Sequence, residues 1–484
     1  MRSSAAVRKP RLGLGTKLGY GLGSTAFGIS TQALSTAIIS QYLFIVVGVP
    51  AVLVGAAIMI SQIVDALVDP LLGQWSDNVR TPWGRRHPFM YAAAVPCALA
   101  FYALWHPPTE WPVGQLFVYM VVVLIIVRFF NAMYEIPSSA LAPELAPDYD
   151  DRTSLQSYRF VFLVAGAGTM IALLNTVFLR HDATHALGIL NKDGYRQWGT
   201  IGAVTIFVSI VLSSLATHRF IPKLSSPPPR KAGPLQIFRE ILATLSNRSL
   251  LAVVISGLFS SIGGGVTTAM TPYMNLYFWE LSPQLVGLIT LSGIPATFLG
   301  AALAPILARR FDKKPTMMAL FAVAVVSSLV PVGLRLLDLM PANGTPLLAA
   351  ILVADSFLGI VLYLMGFIIV SSMIGDIVED NAVRTGQRSE GLLYSANLLI
   401  PKLSAGIGAF LGSLIITLVQ LPSHAQQGTI PLPMLRELGL IYLPVSAIMN
   451  ALAISVMGFY RIDRATHELN LAALAGEDGG RADK

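Results

Sequence analysis

Long apolar runs recur along this chain, separated by short polar stretches. A helix needs roughly 20 apolar residues to cross the hydrocarbon of a bilayer. The first half offers such runs at 19–47, 50–73, 88–106, 114–138, 157–179 and 200–217. The second half offers them at 249–278, 284–307, 316–338, 346–374, 391–421 and 437–460. The pattern predicts an all-α polytopic membrane protein of twelve transmembrane helices. Several runs exceed the minimum length, so tilt, kinks or turns outside the bilayer are expected. Pro96, Gly166, Gly168, Pro295, Pro401 and Gly406 fall inside runs. In a membrane helix such residues mark kinks or close packing rather than an end.

Composition narrows the class further. Of 484 residues, 54% are hydrophobic and only 12% charged, against about 25% charged in soluble domains. Mean hydropathy is +0.66. Too little charge is available to cover a soluble enzyme. The net charge of +7 therefore points to a membrane surface rather than to nucleic acid. Cys97 is the single cysteine and lies in an apolar run, which excludes disulfides and cysteine-based metal sites within the chain. The basic amino terminus leads into a run too long for the apolar core of a cleavable signal.

The basic residues are unevenly distributed. Arg2, Arg8, Lys9, Arg11 and Lys17 precede the first run; Arg80, Arg85 and Arg86 follow the second. Arg219, Lys223, Arg230, Lys231, Arg239 and Arg248 lie between the halves, and Arg309, Arg310, Lys313 and Lys314 follow the eighth run. Twelve spans put all of these on one side, leaving Arg180, Lys192, Arg196, Arg335 and Arg436 opposite. The positive-inside rule then places both termini in the cytoplasm, with the protein in the plasma (inner) membrane.

The halves look duplicated. Asp77 and Gly84-Arg85-Arg86 follow span 2, and Arg309-Arg310-Phe311-Asp312-Lys313-Lys314 follows span 8. Asp148-Tyr-Asp-Asp151-Arg152-Thr153 follows span 4; Asp376-Ile-Val-Glu379-Asp380, then Arg384-Thr385, follows span 10. The expected organisation is an amino terminus 1–18, a six-helix bundle 19–217, a linker 218–248 rich in Pro and Ser, a second bundle 249–460 and a tail 461–484. Two parallel six-helix repeats suggest a transporter with its site at the midplane.

Charges inside the hydrocarbon cost a few kcal/mol each and need a reason. Asp65 and Asp69 in span 2 are four residues apart, so both carboxylates leave the same helix face. Either one keeps a proton at raised pKa, or a cation or basic side chain sits between them. Glu135 and Arg128 in span 4 are about two turns apart and share a side. Glu135 can accept from a polar solute, or pair with Arg128 or Arg159. Lys402, after Pro401, can neutralise the span-2 acids or bind solute. Asp355 sits near a span end and faces water on the simplest reading. Tyr20, Gln32, Asn131, Tyr273, Asn275, Tyr394 and Asn397 either line a cavity or make interhelical hydrogen bonds. Asp77, Arg85 and Arg86 can form charge pairs of a cytoplasmic gate, or merely a solvated basic loop.

Several segments together carry a resemblance. Lys17-Leu-Gly-Tyr20, Asp65-Ala-Leu-Val-Asp69-Pro70 and Trp83-Gly84-Arg85-Arg86-His87-Pro88 occur in order, followed by Tyr134-Glu135-Ile136-Pro137 and Asp151-Arg152-Thr153 through Arg159. Gly375-Asp376, Arg388-Ser389-Glu390 and Tyr394 through Lys402 complete the series. Over about 15–460 the chain resembles the glycoside–pentoside–hexuronide:cation symporters of the major facilitator superfamily, the branch that includes the melibiose carrier. The resemblance implies that Asp65 and Asp69 bind the coupling cation. It implies that Glu135 contacts the sugar and that Arg159 and Lys402 lie near the sugar and the cation site; Tyr20, Asn397 and Phe367 are further candidates for contact with the solute.

The departures are specific. Val68 stands where the melibiose carrier has Asn, and Ala132 where it has Thr, removing two oxygens from a sodium site. A hard cation wants several oxygens and a proton needs one carboxylate, so the expected coupling ion is H+ rather than Na+. Gly28, Ser139 and Phe367 replace an acid and two tryptophans of the galactoside site.

The expected function is cation-coupled symport of a sugar or glycoside-like solute by alternating access, with no other cofactor or metal. The solute and the bilayer are the partners, with neither nucleic acid nor an obligate protein implied. The alternative is an amphiphile or lysolipid translocator of the same fold, with a pocket built from residues such as Phe367, Phe130 and Met133. A solute sensor lacks a signalling domain. An enzyme is disfavoured because the histidines are scattered; His181 and His185, four apart, sit in a loop.

Overall fold

The computed structural model describes residues 12–146, 149–179, 188–223, 247–385, 390–423 and 425–470, with the backbone alone at 390–400. Most of the expected linker, His181, His185, Asp148 and the end of the tail lie outside the described residues. Every described element is helical. The first span is broken: α1 (Leu14–Ala33) ends, Ser35 is extended, and α2 (Thr36–Ser40) resumes and continues as a π-helical segment, Gln41–Val46. The two parts are bent by 51°. Then follow α3 (Ala51–Asn78), α4 (His87–Trp105), α5 (Val113–Leu145), α6 (Tyr149–Leu173) and α7 (Lys192–His218). The second half contains α8 (Arg248–Tyr273), α9 (Pro283–Phe311), α10 (Lys313–Leu336), α11 (Pro346–Thr385), α12 (Glu390–Leu418) and α13 (Leu432–Met457).

Among the described residues eleven helices are long and apolar enough to cross a membrane, and the bent pair makes twelve. Several outrun the apolar stretches that predicted them. α5 reaches Leu145 rather than 138, α6 starts at Tyr149 rather than 157, and α11 reaches Thr385 rather than 374. Hydropathy marks the hydrocarbon edge, whereas backbone hydrogen bonding continues into water. Proline is carried inside the helices at Pro70, Pro96, Pro137 and Pro401, as membrane packing permits.

The outer surface is apolar. Along α9, Leu288, Leu291, Ile294 and Phe298 recur at helical spacing and are exposed. Such a face is at home against lipid tails. The protein is thus a multi-pass membrane protein.

The chain divides into two compact units: 1–42 with 64–231, and 43–63 with 232–484. The segment 43–63, from the first half of the sequence, groups with the second unit. In the first unit α1 packs on α6 and α7, and α4 on α5 and α7. In the second, α8 packs on α12 and α13, and α10 on α11 and α13. These four pairings are the same shifted by six spans, while the packing of α9 on α11 has no counterpart of similar extent between α3 and α5.

The closest seams are built the same way. A Cβ at Gly28 of α1 would lie 2.2 Å from the Leu163 carbonyl oxygen of α6. A Cβ at Gly408 of α12 would lie 2.2 Å from the Ile262 carbonyl oxygen of α8. Backbones in lipid gain little from apolar side chains at such a contact and much from close approach. The start of the π-helical segment is tied into the first unit by aromatic packing. Tyr42 stacks near Trp105 and Tyr195 at 5.0 and 4.9 Å between ring centroids, and its hydroxyl donates to the Trp105 carbonyl at 3.1 Å. Cys97 of α4 is fully buried.

Candidate functional site

The ionisable residues of the first unit converge from α3, α5, α6 and α1. Asp65 and Asp69 leave one side of α3, as their spacing predicts. Arg128 of α5 brings its Nη1 to 3.6 Å from Asp65 Oδ2, and both side chains are almost buried. The same guanidinium interacts electrostatically with Asp69. The basic side chain expected beside the two acids is therefore Arg128, which the sequence had suggested as a partner for Glu135.

Glu135 instead pairs with Arg159 of α6 through Oε1. Arg159 is fixed by three further contacts. Its Nε donates to Ser24 Oγ at 3.2 Å, its Nη1 donates to the Tyr20 hydroxyl at 3.3 Å, and its guanidinium carbon lies 5.6 Å from the Tyr20 ring centre. The Tyr20 hydroxyl in turn donates to the Ser138 carbonyl at 2.7 Å. Tyr20 is 1% exposed. It sits behind Arg159 and orients it.

Glu135 Oε2 and Asn131 Oδ1 are buried and have no hydrogen-bond partner among the described residues. They stand one turn apart on α5, so they present two acceptors to the same space. A buried acceptor left without a donor is costly, and a solute hydroxyl is a suitable donor. The replacements noted in the sequence also have structural meaning. Gly28 could not carry an acid, because the α6 backbone occupies the place of its side chain. Ser139 donates to the Ile136 carbonyl of its own helix at 2.9 Å and offers no ring.

In the second unit, Lys402 is half-buried on α12 and Phe367 is exposed on α11. Phe367 lines a cavity that also touches Pro401, the residue before Lys402. The side chain of Asn397 lies outside those described. Asp355 of α11 accepts from Ser327 Oγ of α10 at 3.2 Å and is far from these groups in sequence.

At the end carrying the basic loops, Asp77, Arg85 and Arg86 do come together. Asp77 lies 3.0 Å from Arg86 and 3.8 Å from Arg85. Both arginines also hold Glu144 Oε1 of α5, at 2.6 and 2.7 Å. Glu144 was not foreseen; its signal was an acid two turns after Pro137, beyond the apolar run. The second unit repeats the device, with Lys313 Nζ 2.7 Å from both oxygens of Asp376 at the end of α11. His467 adds contacts to Glu379 and Asp376 at 2.8 and 3.4 Å. Asp376, Glu379 and His467 have the composition of a cation site, but the Lys313 ammonium already balances Asp376. The span-1 and span-7 starts match as well: Lys17 meets Asp151 at 2.8 Å, and Asn247 meets Asp380 at 3.1 Å.

Comparison with known proteins follows the same lines. An uncharacterised symporter of Synechocystis, sll1374, is 26% identical, with 96% of this chain and 97% of the relative covered. A candidate glycoside/cation symporter of Escherichia coli K12, YagG, is 24% identical over 93% of each chain. The isoprimeverose transporter of Lactiplantibacillus pentosus is 22% identical, covering 95% of this chain and 91% of the relative. Among solved structures, the nucleoside transporter NupG superposes with a TM-score of 0.61 at 15% identity, covering 92% of this chain and 99% of that one. A D-xylose-proton symporter gives 0.64, also at 15% identity, covering 92% and 96%. These structures share the fold of this chain. The MFS/sugar transport protein family matches residues 19–464, and the chain belongs to that family.

Proposed function

We propose that the protein carries a sugar or glycoside across the membrane together with a cation, and that the cation is a proton. The observation that carries this reading is the inner face of α5, where Arg128, Asn131 and Glu135 set charge and two unpartnered acceptors within two turns. Glu135 and Asn131 accept from solute hydroxyls while Arg159, held by Tyr20 and Ser24, donates to the solute's oxygens. Lys402, Phe367 and Asn397 are the solute's contacts in the second repeat. The names of the relatives, glycoside/cation symporter and isoprimeverose transporter among them, support the substrate class.

Coupling follows from charge. Asp65, Asp69 and Glu135 are three carboxylates against two guanidiniums, Arg128 and Arg159, within the first unit's membrane helices. Two carboxylates on one helix face in a low dielectric favour the binding of one monovalent cation. Val68 and Ala132 supply no oxygen to a metal ion, which favours H+ over Na+. Protonation of the aspartate pair would loosen Arg128 and so alter the face that Glu135 shares with it. Asp77, Arg85 and Arg86, with Glu144, act as a charged latch on the cytoplasmic side, where the basic loops place both termini.

The test is uptake into liposomes with pH and sodium gradients imposed separately, using a panel of pentoses, hexoses and their glycosides. Accumulation driven by the pH gradient and lost in Asp69→Asn is the expected result. Accumulation driven by sodium alone at equal pH removes the proton from the proposal. No accumulation of any glycoside under either gradient removes the solute class.

A further inference from the structure

We infer that the second unit contains a separate subsite for an apolar aglycone, so that the preferred solutes are glycosides bearing an aryl or short alkyl group rather than free sugars. The inference rests on the glycoside reading above and sharpens its substrate class. A cavity of about 260 Å³, open on one side, lies between α8, α10 and α11 and is also lined by Pro401 of α12 and Met457 of α13. Met317, Phe321, Phe367 and Val370 give it apolar walls, and among the described residues no charged side chain lines it.

Two glycines hollow it out. At Gly257 of α8 an added Cβ would meet only Pro401 Cγ, at 4.0 Å, and at Gly366 of α11 it would meet Phe321 and Met317 at 3.7 and 3.8 Å. Glycine is not needed there for close helix approach, unlike Gly28 and Gly408. An added methyl would be accommodated at either position, so the glycines keep a volume open rather than a contact tight. Ser260 and Ser261 also line the cavity and make no hydrogen bond within the described residues. They can take the glycosidic oxygen or a ring substituent.

Size selects the occupant. An apolar cavity of about 150 Å³ suffices for benzene, whereas pockets enclosing whole drug-sized ligands start near 300 Å³. The space here fits one ring or a short chain and not a disaccharide. Its position fits too, because it reaches Phe367 and ends one residue before Lys402, both assigned above to the solute. A sugar held there carries its aglycone to the cavity mouth.

The experiment is binding by full-length purified protein of methyl, hexyl and phenyl glycosides of glucose, galactose and xylose, measured by calorimetry. For the sugar that binds, phenyl or hexyl over methyl is expected to tighten Kd by about tenfold, the order seen for apolar groups entering a fitted pocket. In Gly257→Leu and Gly366→Leu that ratio should fall toward one. Gly366→Ala, which adds a single methyl, should reduce it partly and guards against a variant that fails to fold. Equal affinity for methyl and phenyl glycosides overturns the subsite while leaving the glycoside reading standing. An advantage that survives both filled variants overturns it as well. If hexanol and phenol without sugar bind with the same affinity, the cavity is a lipid-tail pocket and the inference fails. If no glycoside binds at all, the substrate class of the proposed function falls with it.

Discussion

The fourth helix of each repeat, α5 in the first unit and α11 in the second, can be laid side by side. On α5 the inner positions hold Arg128, Asn131 and Glu135, tied to α3 and α6 by ion pairs. On α11 the corresponding stretch holds Tyr363, Gly366, Phe367 and Val370 around a cavity with no charged side chain among the described residues. Yet both helices pack on the third helix of their repeat and carry acids near their ends, Glu144 and Asp376, each held by basic side chains at or just before the start of that third helix. The two units share packing seams and terminal ion pairs and differ on these inner faces. Charge gathers in one repeat, shape and apolar contact in the other.

The largest effect should come from breaking the charged face. Arg159→Ala leaves the Glu135 carboxylate buried beside Tyr20, and severing one half of a buried pair costs about 3–5 kcal/mol. Uptake should be abolished and thermal stability lowered in detergent. Replacing both as Glu135→Gln with Arg159→Gln should recover most of the stability and none of the uptake. Normal uptake in the single variant would mean that the charged face is not where solute binds. Next comes Asp65→Asn, which removes the acid facing Arg128. Solute accumulation against a gradient should vanish while downhill exchange persists; retained accumulation would move the coupling elsewhere.

Gly28→Ala and Gly408→Ala probe the shared scaffold. Each forces a methyl against a backbone carbonyl, and overpacking of this kind costs about 1–3 kcal/mol. The two should destabilise to a similar degree, and a clear inequality in their melting curves would break the structural half of the comparison. Phe367→Leu on the apolar face should weaken a phenyl glycoside severalfold, and weaken a methyl glycoside less. Smallest of all is Arg436→Ala, which loses an exposed pair with Asp338 at 2.5 Å. Such pairs contribute about 0–1 kcal/mol, so melting and transport should stay close to the parent protein.

Much of this was legible in the sequence because lipid makes the code simple. Twelve apolar runs, the basic loops and the i, i+4 aspartates are local patterns, and the helices that carry them follow. Partner choice was not local. Arg128 and Glu135 share a face of α5, but their partners, Asp65 and Arg159, come from different helices, and only the packing decides between the pairings considered. The bend at Leu34–Ser35 has neither proline nor glycine to announce it. Glycine was ambiguous for a similar reason. At Gly28 it admits a neighbouring backbone and at Gly366 it leaves a void, and the letter is the same. Glu144 was overlooked because it lies past the apolar run, in a turn that hydropathy had assigned to a loop.

The burial of Cys97 has a practical consequence. With its only thiol enclosed in α4, the natural protein is already a near-silent background for maleimide and spin-label chemistry. A cysteine introduced at an exposed loop residue such as Ala342 or Gln426 would be the dominant reactive group. Distances and accessibilities during turnover could then be followed without first stripping the chain of its own sulfhydryl.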